Sequence, residues 1–229
     1  NYDPLEIERG TSLSNAIATF EYGDTQLTVI DTPGFGDFIS EVILGVFVGE
    51  NVLSIVNAGA GVEVQTERTW RIAQEQKKPI MVFINQMDKE RADFDQTLDD
   101  LKKTFDIKML ILTLPMGSGE SFNGVIDVLT QKAYQYAADG SGKTAEIPIP
   151  DTMKARAKEV YEKTIEDIVE TDEVLMEHYL GGEEIELDQL AAALKKAYCS
   201  GQVVPVLAGS ATKNAGTDRL LDWLTRLCA

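Results

Sequence analysis

Asp31 and Asp88 each follow an apolar run, near the position where a buried strand would end. Residues 27–30 are β-forming, and the residues after them are Asp31, Thr32, Pro33 and Gly34. The Pro-Gly pair turns the chain, so the Asp31 carboxylate would lie at the carboxyl end of the strand. A carboxylate there can hold a water on Mg²⁺, and the Gly34 N–H can donate to a phosphate. An acidic residue before a Pro-Gly turn often has only a structural role in the turn. This motif therefore indicates a ligand site only together with the other motifs.

Two further apolar runs, 79–84 and 203–208, also end in polar residues. Asn85, Gln86, Met87 and Asp88 follow the first run, and Gly209, Ser210 and Ala211 follow the second. The Asp88 carboxylate can accept hydrogen bonds from the N1–H and the exocyclic N2–H of guanine, a match that adenine does not offer. Asn85 can tie neighbouring loops together, and the Ala211 N–H can donate to guanine O6. Together the motifs indicate a guanine nucleotide site.

These motifs can form one site if the apolar runs are strands of a parallel sheet, because ligands bind outside the carboxyl ends of such strands. Helical periodicity occurs between and after the apolar runs, over residues 38–48, 64–76, 92–105 and 216–227. Alternating strands and helices are typical of an α/β fold with a mostly parallel sheet. We therefore expect Asp31, Asp88 and Ala211 to converge at one edge of a common sheet.

The ordered motifs resemble those of the translational GTPases, and their spacing is closest to that of elongation factor G. Residues 7–10 are similar to the end of that family's first switch, and residues 114–117 and 122–127 to its inserted subdomain. The resemblance implies a P-loop NTPase-like GTPase domain with a mostly parallel sheet and an α+β insertion. It divides the chain into a first core part (1–113), the insertion (114–200), and a closing strand and helix (201–229).

The same resemblance implies GTP or GDP and Mg²⁺ as cofactors. Ser12 stands where the family has its Mg²⁺-coordinating threonine, and Asp31 belongs to the metal side as well. The implied nucleotide-binding set is Asp31, Thr32, Pro33, Gly34, Asn85, Gln86, Met87, Asp88, Ser210 and Ala211. The opening polar residues show no clear period, and the family's first strand and phosphate loop have no counterpart in the chain. We therefore expect this chain alone to bind nucleotide weakly, because phosphate contacts supply much of the affinity.

Two further positions of the candidate site depart from the family pattern. Phe35 occupies the place of a histidine that positions the attacking water, and a benzyl side chain makes no ordinary hydrogen bond. Gln86 replaces the lysine whose stem covers the guanine face. We therefore assign no catalytic residue. The resemblance implies GTP hydrolysis only by a longer parent protein, and we expect this chain alone to be inactive.

Two functions follow from the resemblance. The first is a GTP-binding domain of an elongation factor G-like GTPase that acts on the ribosome, meets its stalk through the insertion and touches rRNA only locally. The second is a weakly hydrolysing or silent regulatory module, which Phe35 and Gln86 favour. Translocation, ribosome recycling and ribosome protection are not distinguished. A third hypothesis, an adenine nucleotide enzyme, would use residues 137–144, but Pro148 and Pro150 disfavour the helix that a phosphate loop opens.

Composition and residue spacing argue against several other classes of protein. With 21 Lys and Arg against 38 Asp and Glu, the formal charge of −17 opposes nonspecific binding to nucleic acid. Cys199 and Cys228 have no companions at metal-ligand spacing, and the single histidine, His178, lies in a helical pattern. The sequence shows neither an apolar stretch of membrane-spanning length nor a signal peptide. We expect a cytoplasmic monomer.

Overall fold

The computed structural model describes residues 3–183 and 185–228, which form ten strands and eight α-helices. The strands are β1 (Ala16–Tyr22), β2 (Thr25–Asp31), β3 (Val52–Asn57), β4 (Ile80–Asn85), β5 (Lys108–Ile111), β6 (Thr113–Met116), β7 (Gly124–Asp127), β8 (Lys132–Tyr136), β9 (Thr144–Ile147) and β10 (Val203–Ala208). The helices are α1 (Pro4–Arg9), α2 (Ile39–Val48), α3 (Val64–Glu75), α4 (Phe94–Phe105), α5 (Asp151–Val169), α6 (Glu173–Leu180), α7 (Leu187–Cys199) and α8 (Thr217–Cys228). The four helical segments named above are confirmed as α2, α3, α4 and α8.

The centre of the fold is a parallel sheet of four strands in the order β3-β4-β10-β5. Strand β4 lies between β3 and β10, and all of its residues except the last are buried. Its first five residues are apolar because both faces of a parallel sheet are covered. The carboxyl ends of β4 and β10 lie side by side, with Ile84 opposite Ala208. The loops that follow these two strands therefore emerge at the same edge.

Helices cover both faces of this sheet. Ile80, Val82 and Ile84 of β4 belong to a buried cluster with α2, α3 and α4. Met81 and Phe83 belong to a second cluster with α5, α7 and α8. The alternation follows the two-residue period of a strand. The α/β fold with a mostly parallel sheet, predicted from the sequence, is confirmed.

Strand β2 does not lie in the parallel sheet, contrary to the expectation for residues 27–30. It pairs with β1 in a separate antiparallel sheet of two strands, with Ala16 opposite Asp31. Val29 is 44% exposed, so this run is not a buried central strand. The expected convergence on a common sheet is therefore wrong for Asp31, whereas the loops that carry Asp88 and Ala211 follow neighbouring strands of the parallel sheet. Strand propensity indicates that a segment is extended, but not which sheet it joins.

The expected insertion, residues 114–200, holds most of a second sheet. We call these residues the insertion segment, and its boundaries remain a prediction. Strands β6-β7-β8-β9 form an antiparallel meander in chain order, and α5, α6 and α7 follow. The Ala208 N–H donates to Thr113 Oγ1 at 2.8 Å, which ties the start of β6 to the end of β10.

Residues 137–144 form the turn between β8 and β9 and the first residue of β9. They do not open a helix, because the next helix in the chain is α5, which begins at Asp151. This arrangement agrees with the sequence argument against a phosphate loop here. Among the described residues, no helix combines the length and the apolar character needed to cross a membrane.

Candidate functional site

The loops after β4 and β10 are joined by the side chain of Asn85. Its Oδ1 accepts hydrogen bonds from the Ala211 N–H at 2.9 Å and from the Gln86 N–H at 2.8 Å. A backbone bond adds to the link, because the Met87 N–H donates to the Gly209 carbonyl at 3.1 Å. Asn85 thus ties the two loops together, as its position at the end of β4 suggested.

Asp88 is held by Ser210, a fully buried residue of the loop after β10. The Ser210 hydroxyl donates to Oδ1 of Asp88 at 2.6 Å, and its oxygen accepts from the Lys213 N–H at 3.2 Å. The other carboxylate oxygen, Oδ2, lies 3.7 Å from the Lys89 ammonium group. Since an ionised carboxylate offers about four acceptor positions, Asp88 keeps the capacity to bind two further donors.

The environment of Asp88 favours its ionised form. Burial raises the pKa of the carboxyl, but the Ser210 hydrogen bond and the Lys89 and Lys213 charges lower it, and the net pKa shift is downward. An ionised carboxylate only accepts hydrogen bonds, so it selects a partner with adjacent donors. Guanine presents N1–H and N2–H side by side, whereas adenine presents an N1 acceptor and a C–H on that edge.

The backbone of Gln86 makes the sharp turn between β4 and Asp88. Its φ of 64° lies in the left-handed region, which costs about 1–2 kcal/mol for a residue with a Cβ. The hydrogen bond from the Gln86 N–H to Asn85 helps to hold this conformation. Strained residues of this kind cluster at functional sites, where the surrounding structure holds them.

The Ala211 N–H, expected to donate to guanine O6, already has an acceptor in this structure. It donates to Asn85 Oδ1 at 2.9 Å, and Ala211 itself is exposed. A contact with the base therefore requires a shared, three-centre hydrogen bond or a rotation of the Asn85 side chain. The observed role of Ala211 is to join the loops.

The residues expected on the phosphate and Mg²⁺ side lie at the open end of the β1–β2 hairpin. Asp31 and Gly34 are exposed, and Pro33 is buried. Ser12 lies in the segment that leads into this hairpin, four residues before Ala16, the cross-strand partner of Asp31. Thr32 packs closely on α2, since a Cβ added to Gly45 would lie 2.6 Å from Thr32 Cγ2.

The Asp31 carboxylate and the Ser12 hydroxyl suit Mg²⁺ only when phosphate oxygens complete the coordination of the ion. The described residues contain no group of three or more His, Cys, Asp or Glu side chains placed to hold a metal. Mg²⁺ commonly takes one or two protein oxygens, and phosphates and water supply the rest. The Asp31 carboxylate and the Ser12 hydroxyl are oxygen donors of the appropriate kind.

The segment that carries Ser12 is organised by Glu6, a buried residue of α1. The Glu6 carboxylate accepts hydrogen bonds from the Leu13 N–H at 2.7 Å and from the Ser14 N–H at 3.2 Å. These backbone bonds lower the pKa of Glu6. Helix α1 was not expected, because residues 1–10 are polar and show no clear period. The available signal was the N-cap Asp3, whose carboxylate accepts from the Leu5 N–H at 2.8 Å.

Phe35 stands in the loop before a short 3₁₀ turn, Gly36–Phe38. It is 60% exposed and presents no hydrogen-bonding group. The loop runs along α3, because a Cβ added to Gly36 would lie 2.7 Å from Gln65 Nε2. The Phe35 side chain therefore offers nothing to orient a water molecule by hydrogen bonding.

Sequence reasoning missed four residues that support the loops after β4 and β10, namely Gly119 and Gly142 from the insertion segment, and Lys213 and Asn214 within the loop after β10. The Gly119 N–H donates to the Met87 carbonyl at 2.8 Å, and Gly142 packs against the Asn214 side chain. The available signal was the pair of Gly-Ser-Gly sequences, which predict turns. Turn residues indicate a local conformation but not the distant segment against which the turn packs.

Comparison with known proteins agrees with this architecture. The family model described as elongation factor Tu GTP binding domain matches residues 1–229. An elongation factor G-like protein of Thermotoga maritima (strain ATCC 43589) is 51% identical over 224 residues, which are 98% of this chain and 32% of that protein. A crystal structure of a protein from Thermus thermophilus matches with a TM-score of 0.92 and 32% identity, covering 99% of this chain and 34% of that chain.

The chain thus spans about a third of the length of the relatives that it matches. The match to the family model extends over every residue, and the solved structure has the same fold over nearly the whole chain. The chain belongs to the elongation factor Tu GTP binding domain family, the GTP-binding domain of translational GTPases.

Proposed function

We propose that this chain is the guanine nucleotide switch of an elongation factor G-like GTPase that acts on the ribosome. The observation that carries the proposal is the pair of loops after β4 and β10, where Ser210 holds Asp88 and Asn85 holds Ala211. Asp88 accepts from guanine N1–H and N2–H, and the Ala211 N–H is shared with O6. Family membership supports GTP and GDP as the ligands.

The hairpin side of the domain binds the phosphates and Mg²⁺. With Mg²⁺ and nucleotide bound, Asp31 would hold a water on the metal, Ser12 would supply its hydroxyl as a ligand, and the Gly34 N–H would donate to the terminal phosphate. When bound, Mg²⁺ neutralises negative charge on the phosphate oxygens. Thr32 and Pro33 shape the loop after β2, and Gln86 and Met87 shape the loop that carries Asp88. Loss of the terminal phosphate releases the segments that contain Ser12 and Gly34, which is the switching step.

The insertion segment contacts the ribosomal stalk in this proposal. Helix α6 presents Val174 and Leu180, which are 61% and 76% exposed, beside the exposed acids Glu173 and Glu177. Such a mixed apolar and acidic face suits a protein partner. Contacts with rRNA are local, since a net charge of −17 repels a phosphate backbone at long range. The protein acts as a cytoplasmic monomer.

A second function, a weakly hydrolysing or silent regulatory module, is favoured by one observation. Phe35 is exposed and makes no hydrogen bond through its ring, so it does not position the attacking water as a histidine would. In this case the domain binds guanine nucleotides and responds to them without rapid turnover.

Single-turnover hydrolysis of GTP by the full-length gene product, with and without ribosomes, separates the two functions. Rapid turnover stimulated by ribosomes supports the first function and excludes the silent module. Tight GTP binding without turnover in either condition supports the second. Binding of ATP as tight as that of GTP would contradict both.

A further inference from the structure

Two tight turns of the insertion segment lie against the loops that follow β4 and β10. In the first turn, the Gly119 N–H donates to the Met87 carbonyl at 2.8 Å. The bond is made deep in the fold, because Met87 is 1% exposed. Met87 directly precedes Asp88, so this contact fixes the backbone that carries the base-binding carboxylate.

The second turn, between β8 and β9, lies against the loop after β10. A Cβ added to Gly142 would lie 2.4 Å from Nδ2 and 3.0 Å from Cγ of Asn214. The Asn214 side chain is itself held, because its Oδ1 accepts the Thr217 hydroxyl. The Asn214 N–H donates to the Ala211 carbonyl at 3.1 Å. Asn214 therefore connects the turn that contains Gly142 to the backbone of Ala211.

Both turns are closed by their own hydrogen bonds. In the first, the Ser118 N–H donates to Ser121 Oγ at 3.1 Å and the Ser121 hydroxyl donates to the Ser118 carbonyl at 2.7 Å. In the second, the Ala137 N–H donates to the Lys143 carbonyl at 2.9 Å. These bonds hold each turn in a defined conformation against the loop that it contacts.

We propose that the insertion segment positions the two base-binding loops through Gly119 and Gly142, and that the contact between Gly142 and Asn214 sets how fast a bound guanine nucleotide leaves. The inference rests on the proposed function of the site and goes beyond it by assigning a regulatory role to the second sheet. A partner that moves the insertion segment changes nucleotide release through these turns. Gly142 and Asn214 are positioning residues, because they act through Ala211.

The chain contains a matched pair of substitutions for the test. Gly142→Ala places a methyl group against Asn214, whereas Gly140→Ala, in the same turn, meets only the Thr212 carbonyl at 3.9 Å. The two glycines have φ values of 71° and 74°, so both substitutions impose nearly the same backbone strain. Any difference between the variants therefore reports the contact with Asn214.

The measurement is the dissociation rate of a fluorescent GDP from the full-length gene product, followed by stopped flow. We expect Gly142→Ala to speed dissociation by about threefold or more, in the range of coupling between contacting residues, and Gly140→Ala to change it less than about twofold. Thermal unfolding of both variants shows whether they lose stability equally. Equal dissociation rates in wild type and both variants would overturn the inference.

A third variant keeps the test decisive if Gly142→Ala does not fold. Asn214→Gly removes the side chain against which the turn packs and suits the φ of 48° at this position. We expect it to speed dissociation alone, and we expect Gly142→Ala to have no further effect in its background. Unchanged dissociation in Asn214→Gly would overturn the inference while wild-type GDP binding still upholds the proposed function. Absence of GDP binding by the wild type would overturn both.

Discussion

We expect the replacement of Asp88 by asparagine to change which purine the site prefers. The Ser210 hydroxyl donates to Oδ1 at 2.6 Å, so the amide oxygen of an asparagine keeps that position and the NH₂ group takes the place of Oδ2. An NH₂ group there faces the N2–H of guanine, and two donors do not bond. Xanthine carries a carbonyl at that carbon, which accepts from the asparagine NH₂ group. We therefore expect Asp88→Asn to weaken the binding of guanine nucleotides and to strengthen the binding of xanthosine nucleotides.

The size of the effect follows from the bond that is lost. A hydrogen bond to a charged group contributes about 1.5–3 kcal/mol, which is about a 10- to 150-fold change in Kd at 25 °C. Asp88 is well shielded, with 8% of its side chain exposed, so water does not readily replace the lost acceptor. The bond between asparagine and Ser210 is neutral and weaker, but it keeps the side chain in place.

Competition between GDP and xanthosine diphosphate for the full-length gene product measures this change. We expect the wild type to prefer GDP. We expect Asp88→Asn to bind GDP about 10- to 150-fold more weakly than the wild type does, and to bind xanthosine diphosphate more tightly. Asp24→Asn removes the same charge at an exposed turn between β1 and β2 and serves as the control. Equal GDP affinity in wild type and Asp88→Asn would refute the assignment of Asp88 to the base.

Three further predictions follow from the site. Phe35→His should raise the single-turnover rate of GTP hydrolysis by about 10²-fold or more, and an unchanged rate would show that this position does not order water. Ser210→Ala should lower the free energy of unfolding in urea by about 1–3 kcal/mol, because Asp88 Oδ1 and the Lys213 N–H lose a buried partner. The pKa of Asp88 is lowered in the fold, so the stability that it contributes is present above its unfolded pKa and lost as pH falls through the folded value. Unfolding of wild type and Asp88→Asn between pH 3 and 8 should therefore show a constant difference above about pH 5 that shrinks only below about pH 4.

The central sheet was predictable because burial on both faces leaves a clear signal. The residues of β4 and β10 are apolar almost throughout, and the polar residues that follow them lie where the strands end. Strand pairing then brings Asn85 beside the loop after β10, as their bond at 2.9 Å shows. In this part of the molecule local sequence and tertiary structure agree.

The position of β2 was not predictable from its own residues. Its apolar positions suit a buried strand of the central sheet, but in the structure the hairpin of β1 and β2 lies outside that sheet and Val29 is 44% exposed. Which sheet a strand joins depends on neighbours that its own pattern does not contain. Helix α1 was missed for a different reason, because six residues are too few to show a helical period.

The contacts of Gly119 and Gly142 lie beyond sequence reasoning for a third reason. Their glycines predict turns correctly, and the positive φ values of 58° and 71° confirm why glycine is used there. The partners of these turns, Met87 and Asn214, belong to segments far away along the chain. Long-range packing of two loops leaves no periodic signal in either one.

The structure of the GDP complex of the full-length gene product tests the central claim most directly. The quantity to measure is the distance from the Asp88 carboxylate oxygens to N1 and N2 of the guanine. We expect both distances to be about 2.7–3.0 Å, as in other hydrogen bonds to a carboxylate. A base bound away from the loops after β4 and β10, or one that leaves Asp88 more than about 4 Å from both nitrogens, would contradict the assignment.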